Sequence, residues 1–114
     1  MKRPAYRVLL TRGAEADLAA LHDYLREYRS PEQADALLDA LSGKIESLEH
    51  FPDRGSVPKE LAALGIHEFR QLAHPPYRLI YRVVARRVFV MVVADGRRDM
   101  QTLLATRLLG LPPG

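Results

Sequence analysis

The residues in this chain best equipped for chemistry are the arginines of its C-terminal third. Arg70, Arg78, Arg82, Arg97 and Arg98 sit in or beside the most strand-like stretches, Tyr77-Arg78-Leu79-Ile80-Tyr81-Arg82-Val83-Val84 and Arg87 to Ala94, the latter followed by Asp95-Gly96-Arg97-Arg98-Asp99. A guanidinium stays charged at any working pH and binds phosphate or carboxylate through two parallel hydrogen bonds, so convergent arginines on a sheet form an anion-binding surface. The same arginines also serve to solvate an open sheet face or to pair with Glu68, Asp95 and Asp99. Strand alternation places Arg78, Ile80, Arg82 and Val84 on one face and Tyr77, Leu79, Tyr81 and Val83 on the other. Arg86 and Arg87 fall at a hairpin turn, where solvation is their expected use. RNA cleavage would further require a general base, a general acid and positive charge around the phosphate. His67 and His74 are the groups that titrate near neutral pH, with Glu68, Asp99, Tyr77 and Tyr81 as further proton-transfer or hydroxyl groups.

Charge is divided along the chain. Residues 66 to 114 hold eight arginines against three acids, a net charge of +5, whereas residues 1 to 65 hold nine basic residues against eleven acids, a net charge of −2. The overall +3 therefore conceals a basic half that reads as sheet, suited to an anionic partner. Other chemistries lack their residues. No Gly-rich phosphate loop, nucleotide-binding fingerprint or Ser-centred elbow occurs. His22, His50, His67 and His74 lack zinc-motif spacing, and there is no Cys to complete a site. The sequence calls for neither cofactor nor metal.

The elements that must carry these residues follow from periodicity. Tyr6, Val8 and Leu10 predict a short first strand. Thr11 can cap a helix whose stripe is Ala14, Leu18, Leu21, Leu25 and Tyr28. Ser30, Pro31 and Gln33 form a capping-box start for a second helix with the stripe Ala34, Leu37, Leu38, Leu41, Ile45 and Leu48. Two amphipathic helices with one tight connection predict an antiparallel hairpin lying on a sheet. Phe51 to Pro58 reads as loop, and Lys59 to Leu64 as one further turn of helix. Strands are expected over Ile66–Ala73, Tyr77–Val84 and Arg87–Ala94, the last two joined by Ala85-Arg86. A short helix from Met100 to Leu109 with Asp99 as its cap completes the chain, and Leu111 to Gly114 should fray.

The expected fold is α+β, a helical hairpin packed on a small, largely antiparallel four-stranded sheet in the order β-α-α-β-β-β, with a short C-terminal helix. At 114 residues, 47% of them hydrophobic and 27% charged, residues 1–114 fit one domain with its own core. With so few layers, one apolar face of the sheet is available as a protein interface. There is no signal-like apolar run at the start and no stretch near the length needed to span a bilayer, which predicts a cytoplasmic protein with no membrane partner.

The helical hairpin, Phe51-Pro52-Asp53-Arg54-Gly55, Gly65-Ile66-His67-Glu68-Phe69-Arg70, Tyr77-Arg78-Leu79-Ile80-Tyr81-Arg82-Val83 and Gly96-Arg97-Arg98-Asp99 occur in that order. In this the chain resembles the RelE/ParE toxin superfamily over roughly residues 5 to 109. The resemblance implies the toxin of a type II toxin–antitoxin module, of the kind that stabilises plasmids, with a cognate antitoxin as partner. In the RelE-like branch, of ribosome-dependent mRNA endonucleases, Arg78 is similar to the strand arginine that contacts the scissile phosphate. There Arg97 and Arg98 are similar to the basic cluster after the last strand, and His67 would be the remaining catalytic group. Nuclease members place a Tyr or His close behind that cluster. Here Asp99-Met100-Gln101-Thr102 follows, no Tyr or His occurs after Tyr81, and the second helix holds only Lys44 where several nucleases are Lys-rich. The long hairpin is closer to the ParE-like branch. The resemblance there implies growth inhibition by poisoning DNA gyrase through protein–protein binding, with no catalytic residues. Arg70, Arg78, Arg82, Arg97 and Arg98 would then contact the target or another anion. The alternatives are a ribosome-dependent endoribonuclease acting on mRNA and a non-toxic binding protein on the same scaffold.

Overall fold

A computed structural model describes residues 5–110; the expected fray of Leu111 to Gly114 lies outside the described residues. In chain order the elements are β1 (Arg7–Leu10), α1 (Arg12–Tyr28), α2 (Pro31–Ser47), α3 (Lys59–Ala62), β2 (Phe69–His74), β3 (Tyr77–Val84), β4 (Arg87–Asp95) and α4 (Met100–Leu109). The expected α+β architecture is present. The four strands form one sheet in the order β1-β4-β3-β2, with β1 parallel to β4 and the other pairings antiparallel.

The helix starts follow their caps. Thr11 Oγ1 accepts from the Ala14 N–H at 3.2 Å and itself donates to the Val90 carbonyl at 3.2 Å, so one side chain starts α1 and ties it to β4. Thr11→Ala removes both bonds and is expected to cost about 1 kcal/mol in denaturant unfolding, whereas Thr11→Ser retains most of that stability. Ser30 Oγ accepts from the Gln33 N–H at 3.0 Å, the forward half of the anticipated capping box. Asp99 caps α4 through the Thr102 N–H, and Gly110 closes it at φ 68°, where a side chain would be strained.

Both faces of the sheet are covered. On one, Leu72, Leu79, Tyr81, Val88, Val90 and Val93 pack under the hairpin residues Ala14, Leu41, Ile45 and Leu48. On the other, Phe69, Ile80, Val92 and Ala94 pack against Leu61 of α3 and Met100 and Leu104 of α4. A protein interface was the alternative use for one apolar face; α3 and α4, though short, cover the second one. Tyr28 also departs from its expected stripe. It is exposed at the end of α1 beside Tyr24, ring centroids 4.9 Å apart. β2 begins at Phe69 rather than Ile66, and it extends to His74.

A bulge in β4 reconciles the two faces. Ile80 pairs with Val92 and Tyr81 with Val90, leaving Met91 as the extra residue. Past Val90, where β1 ends, side chains substitute for a neighbouring strand. Asp17 accepts from the Val93 N–H at 2.9 Å and Arg107 donates to the Met91 carbonyl at 3.0 Å. Arg107 also forks onto Asp17 at 3.0 and 3.1 Å, joining α4 to α1.

Candidate functional site

The arginines that the sequence suggests as one surface occupy several places. Arg78 lies in mid-sheet opposite Ala73 and Ala94, on the face covered by α3 and α4. Every nitrogen of its guanidinium is engaged. Nη1 and Nη2 donate to the two carboxylate oxygens of Glu60 at 2.8 Å each, Nε donates to Gln71 Oε1 at 2.8 Å, and Nη2 also bonds that oxygen. The pair is largely withdrawn from solvent, with side-chain exposures of 13% for Arg78 and 12% for Glu60. Hydrogen bonding to Arg78 holds the Glu60 carboxyl below its ordinary pKa of 4.5, outweighing the opposing effect of burial. Gly96 is required beside this pair, since a Cβ there would lie 2.7 Å from Arg78 Cδ and 3.1 Å from the Pro76 carbonyl oxygen.

Arg70 lies directly across from Tyr81, whose side chain belongs to the hairpin-covered core, so it points away from Arg78. It donates to the Gly55 carbonyl at 2.6 Å and the Asp53 carbonyl at 3.3 Å. The Tyr81 hydroxyl donates to the Pro52 carbonyl at 2.7 Å and accepts from the Gly55 N–H at 3.0 Å. Burial raises the Tyr81 pKa above 10.0, so the phenol keeps the proton that it donates. Together Arg70 and Tyr81 fix the 51–57 loop to the sheet, a task no spacing in the sequence specifies.

Arg82 shares the face of Arg78 but sits four residues along the strand, roughly 13 Å away. It is exposed, pairs with Glu68 at 3.3 Å and lies over the Phe69 ring at 5.8 Å. Arg97 is 76% exposed and forks onto Asp95. Its hydrogen bonds hold the Asp95 carboxyl at about 2, so the pair persists through any physiological pH. Arg98 is exposed and, among the described residues, its guanidinium makes no ion pair. His67 is exposed in the connection ahead of β2, outside the sheet. His74 closes β2 opposite Tyr77, next to the Pro75-Pro76 turn, whose peptide bond is cis.

Among the described residues, the one group hydrogen-bonded to Arg78 that could move a proton is Glu60, and it is ion-paired. Glu60 is the residue the sequence reading missed. It lies on the four-residue helix α3, eighteen positions before its partner Arg78 on β3, and no periodicity in the chain links them. Arg82, Arg97 and Arg98 are exposed, whereas Arg70 and Arg78 have internal partners. Among the described residues no cluster of three or more His, Asp or Glu could hold a metal ion, and no helix is long and apolar enough to cross a membrane.

Comparison with known proteins adds an independent observation. The family model described as the ParE toxin of the type II toxin–antitoxin system parDE matches residues 8–100. Among solved structures, the chromosomal ParDE system from P. aeruginosa is similar at a TM-score of 0.66 and 19% identity, covering 79% of this chain and 95% of that one. The RelBE2 toxin–antitoxin complex from Mycobacterium tuberculosis gives 0.56 at 23% identity, with 80% and 98% covered. A mutant of E. coli toxin RelE in the free state gives 0.59 at 16% identity, with 93% and 96% covered. At these identities the structural likeness is one of fold. Among curated proteins, a sequence search finds no significant match.

Proposed function

This chain belongs to the ParE toxin family of type II toxin–antitoxin systems, and we propose that it arrests growth by binding DNA gyrase and trapping its cleaved DNA complex, without itself cleaving nucleic acid. The observation that carries the reading is the state of Arg78. The guanidinium that a nuclease would turn toward a scissile phosphate donates all its bonds to Glu60 and Gln71. Among the described residues its hydrogen-bond partners are Glu60 and Gln71 alone, and His67 lies outside the sheet. Cleavage would need charge and proton transfer at one point, whereas poisoning by binding needs only a complementary surface.

Arg82, Arg97 and Arg98 are the exposed basic contacts in this reading. Their natural neutraliser is a cognate antitoxin segment that brings carboxylates to them and covers exposed apolar side chains such as Leu10, Phe51 and Leu64. The similar ParDE structure is by its description a toxin–antitoxin system, which supports such a partner. The test is pulse labelling after induction without antitoxin. DNA synthesis should fall first, with protein synthesis following only later, and co-expressed antitoxin should restore growth. Protein synthesis stopping first would favour the ribosome as target, and undisturbed growth would favour a binding protein with no toxicity.

A further inference from the structure

We propose that the β1 end of the sheet's second face docks an acidic amphipathic helix of a partner protein. The cover given by α3 and α4 reaches Phe69, Ile80, Val92 and Ala94. Beyond it, strand register assembles a second group of side chains on the same face. Leu9 lies beside Phe89 and Phe89 beside Arg82, while Val84 and Arg7 flank Arg87. Leu9 and Phe89 are half-buried yet belong to neither core cluster, and Val84 is 44% exposed. The result is an apolar strip across three strands with an arginine from each strand at its margin.

Charge decides what fits over the strip. Arg7 and Arg87 are direct neighbours on adjacent strands and both are exposed. Among the described residues neither has an ion-pair partner. Like charges placed side by side weaken a sheet, and carboxylates brought from outside would relieve that cost. Arg82 stands at the third margin and shares its charge with the exposed Glu68 at 3.3 Å. The backbone of the sheet is hydrogen-bonded within its own plane, so an occupant of the face meets side chains, the usual seat of a helix. A helix about 10 Å wide also matches three strands spaced about 4.8 Å apart. A nucleic-acid strand would want aromatic platforms for its bases, whereas Leu9 and Val84 offer none and Phe89 is half-buried. The surface shares only Arg82 with the contacts proposed above, and its occupant is the same whichever macromolecule the protein poisons.

The experiment uses the full chain and a fluorescent, helix-stabilised peptide of about 18 residues, with leucine at every third or fourth position and glutamate beside that stripe. Anisotropy titrations compare the wild type with Arg87→Glu, Phe89→Ala and Arg26→Glu, the last carrying the same charge change on the exposed side of α1. The wild type and Arg26→Glu should bind the peptide saturably, and Arg87→Glu and Phe89→Ala should each bind it about tenfold more weakly. A peptide of the same composition with its leucine stripe scrambled should also bind about tenfold more weakly. Thermal unfolding supplies a readout with the opposite sign. Arg87→Glu places an acid beside Arg7, so its Tm should rise by about 2 to 5 °C even as binding is lost. No saturable binding by the wild type, or equal weakening in Arg87→Glu and Arg26→Glu, would overturn the proposal. So would a Tm lowered in Arg87→Glu, which would give Arg87 an internal structural task. An oligothymidine held more tightly than the peptide and released by Arg87→Glu would assign the strip to nucleic acid instead. Self-association in sedimentation that Arg87→Glu abolishes would assign it to a second copy of the chain.

Discussion

Arg78→Met is expected to lower the unfolding free energy by about 2 kcal/mol, somewhat less than is lost when one member of a fully buried ion pair is removed, because this pair is only partly buried. The carboxylate of Glu60, 12% exposed, would be left without the guanidinium that offsets its dehydration. The short α3 gives it a route toward water, which keeps the loss from being larger. Replacing both partners by apolar residues, Glu60→Leu with Arg78→Met, should recover most of that stability, because the dehydration penalty disappears with the charges. The pH dependence has a definite sign. The folded pKa of Glu60 is depressed below 4.5, so its contribution to stability is complete above the unfolded value and is lost as pH falls through the folded one. In Arg78→Met the carboxyl is buried without a cation, its folded pKa rises, and protonation stabilises the fold. Between about pH 6 and pH 4 the variant should therefore gain stability while the wild type holds or loses it. Urea titrations at several pH values check both statements, and parallel pH profiles for the two proteins would refute the assignment.

Tyr81→Phe is the second large expected effect, about 2 kcal/mol. The ring would remain packed, but the Pro52 carbonyl and the Gly55 N–H would lose their common partner, formerly at 2.7 and 3.0 Å. Both belong to the 51–57 loop, whose Ser56 also bridges to Gln71, the residue that orients Arg78. The loss should therefore appear locally as faster amide exchange and proteolysis over residues 51 to 57, and globally in Tm. Gly55→Ala should do comparable damage from the other side, since its Cβ would lie 2.5 Å from the Gln71 carbonyl oxygen and 2.7 Å from the Tyr81 hydroxyl. A Tyr81→Phe protein with unchanged exchange in the loop would show that the loop is held by its own turns.

The architecture was legible because it rests on local signals. Thr11, Ser30-Pro31 and Asp99 mark helix starts through groups one turn away, and the Ala34 to Leu48 stripe identifies its buried face without knowledge of its partner. The surface arginines Arg97 and Arg98 were legible for the same reason, as a run next to a strand end. What escaped depends on contacts distant in sequence. Alternation assigned Arg78 to the correct face of β3, but it could not show that α3 covers that face or that Glu60 meets the guanidinium there. The bulge at Met91 lets Val90 and Val93 join one core and Val92 the other, although an uninterrupted run of apolar residues gives no hint of it. Strand character at Ile66 to Glu68 was overestimated because Ile66 packs on the α3 cluster as a loop residue.

The central claim is that the protein acts by binding and does not cleave RNA. Its most direct test is one preparation divided between two reactions, gyrase with supercoiled plasmid and ATP, and ribosomes paused on a defined mRNA. The account predicts cleaved plasmid that accumulates with toxin dose, together with intact mRNA at the same concentrations. Arg82→Glu and Arg98→Glu should reduce the plasmid cleavage by reversing charge at the exposed contacts. Cleaved mRNA that disappears with Arg78→Ala, with gyrase unaffected, would contradict the account.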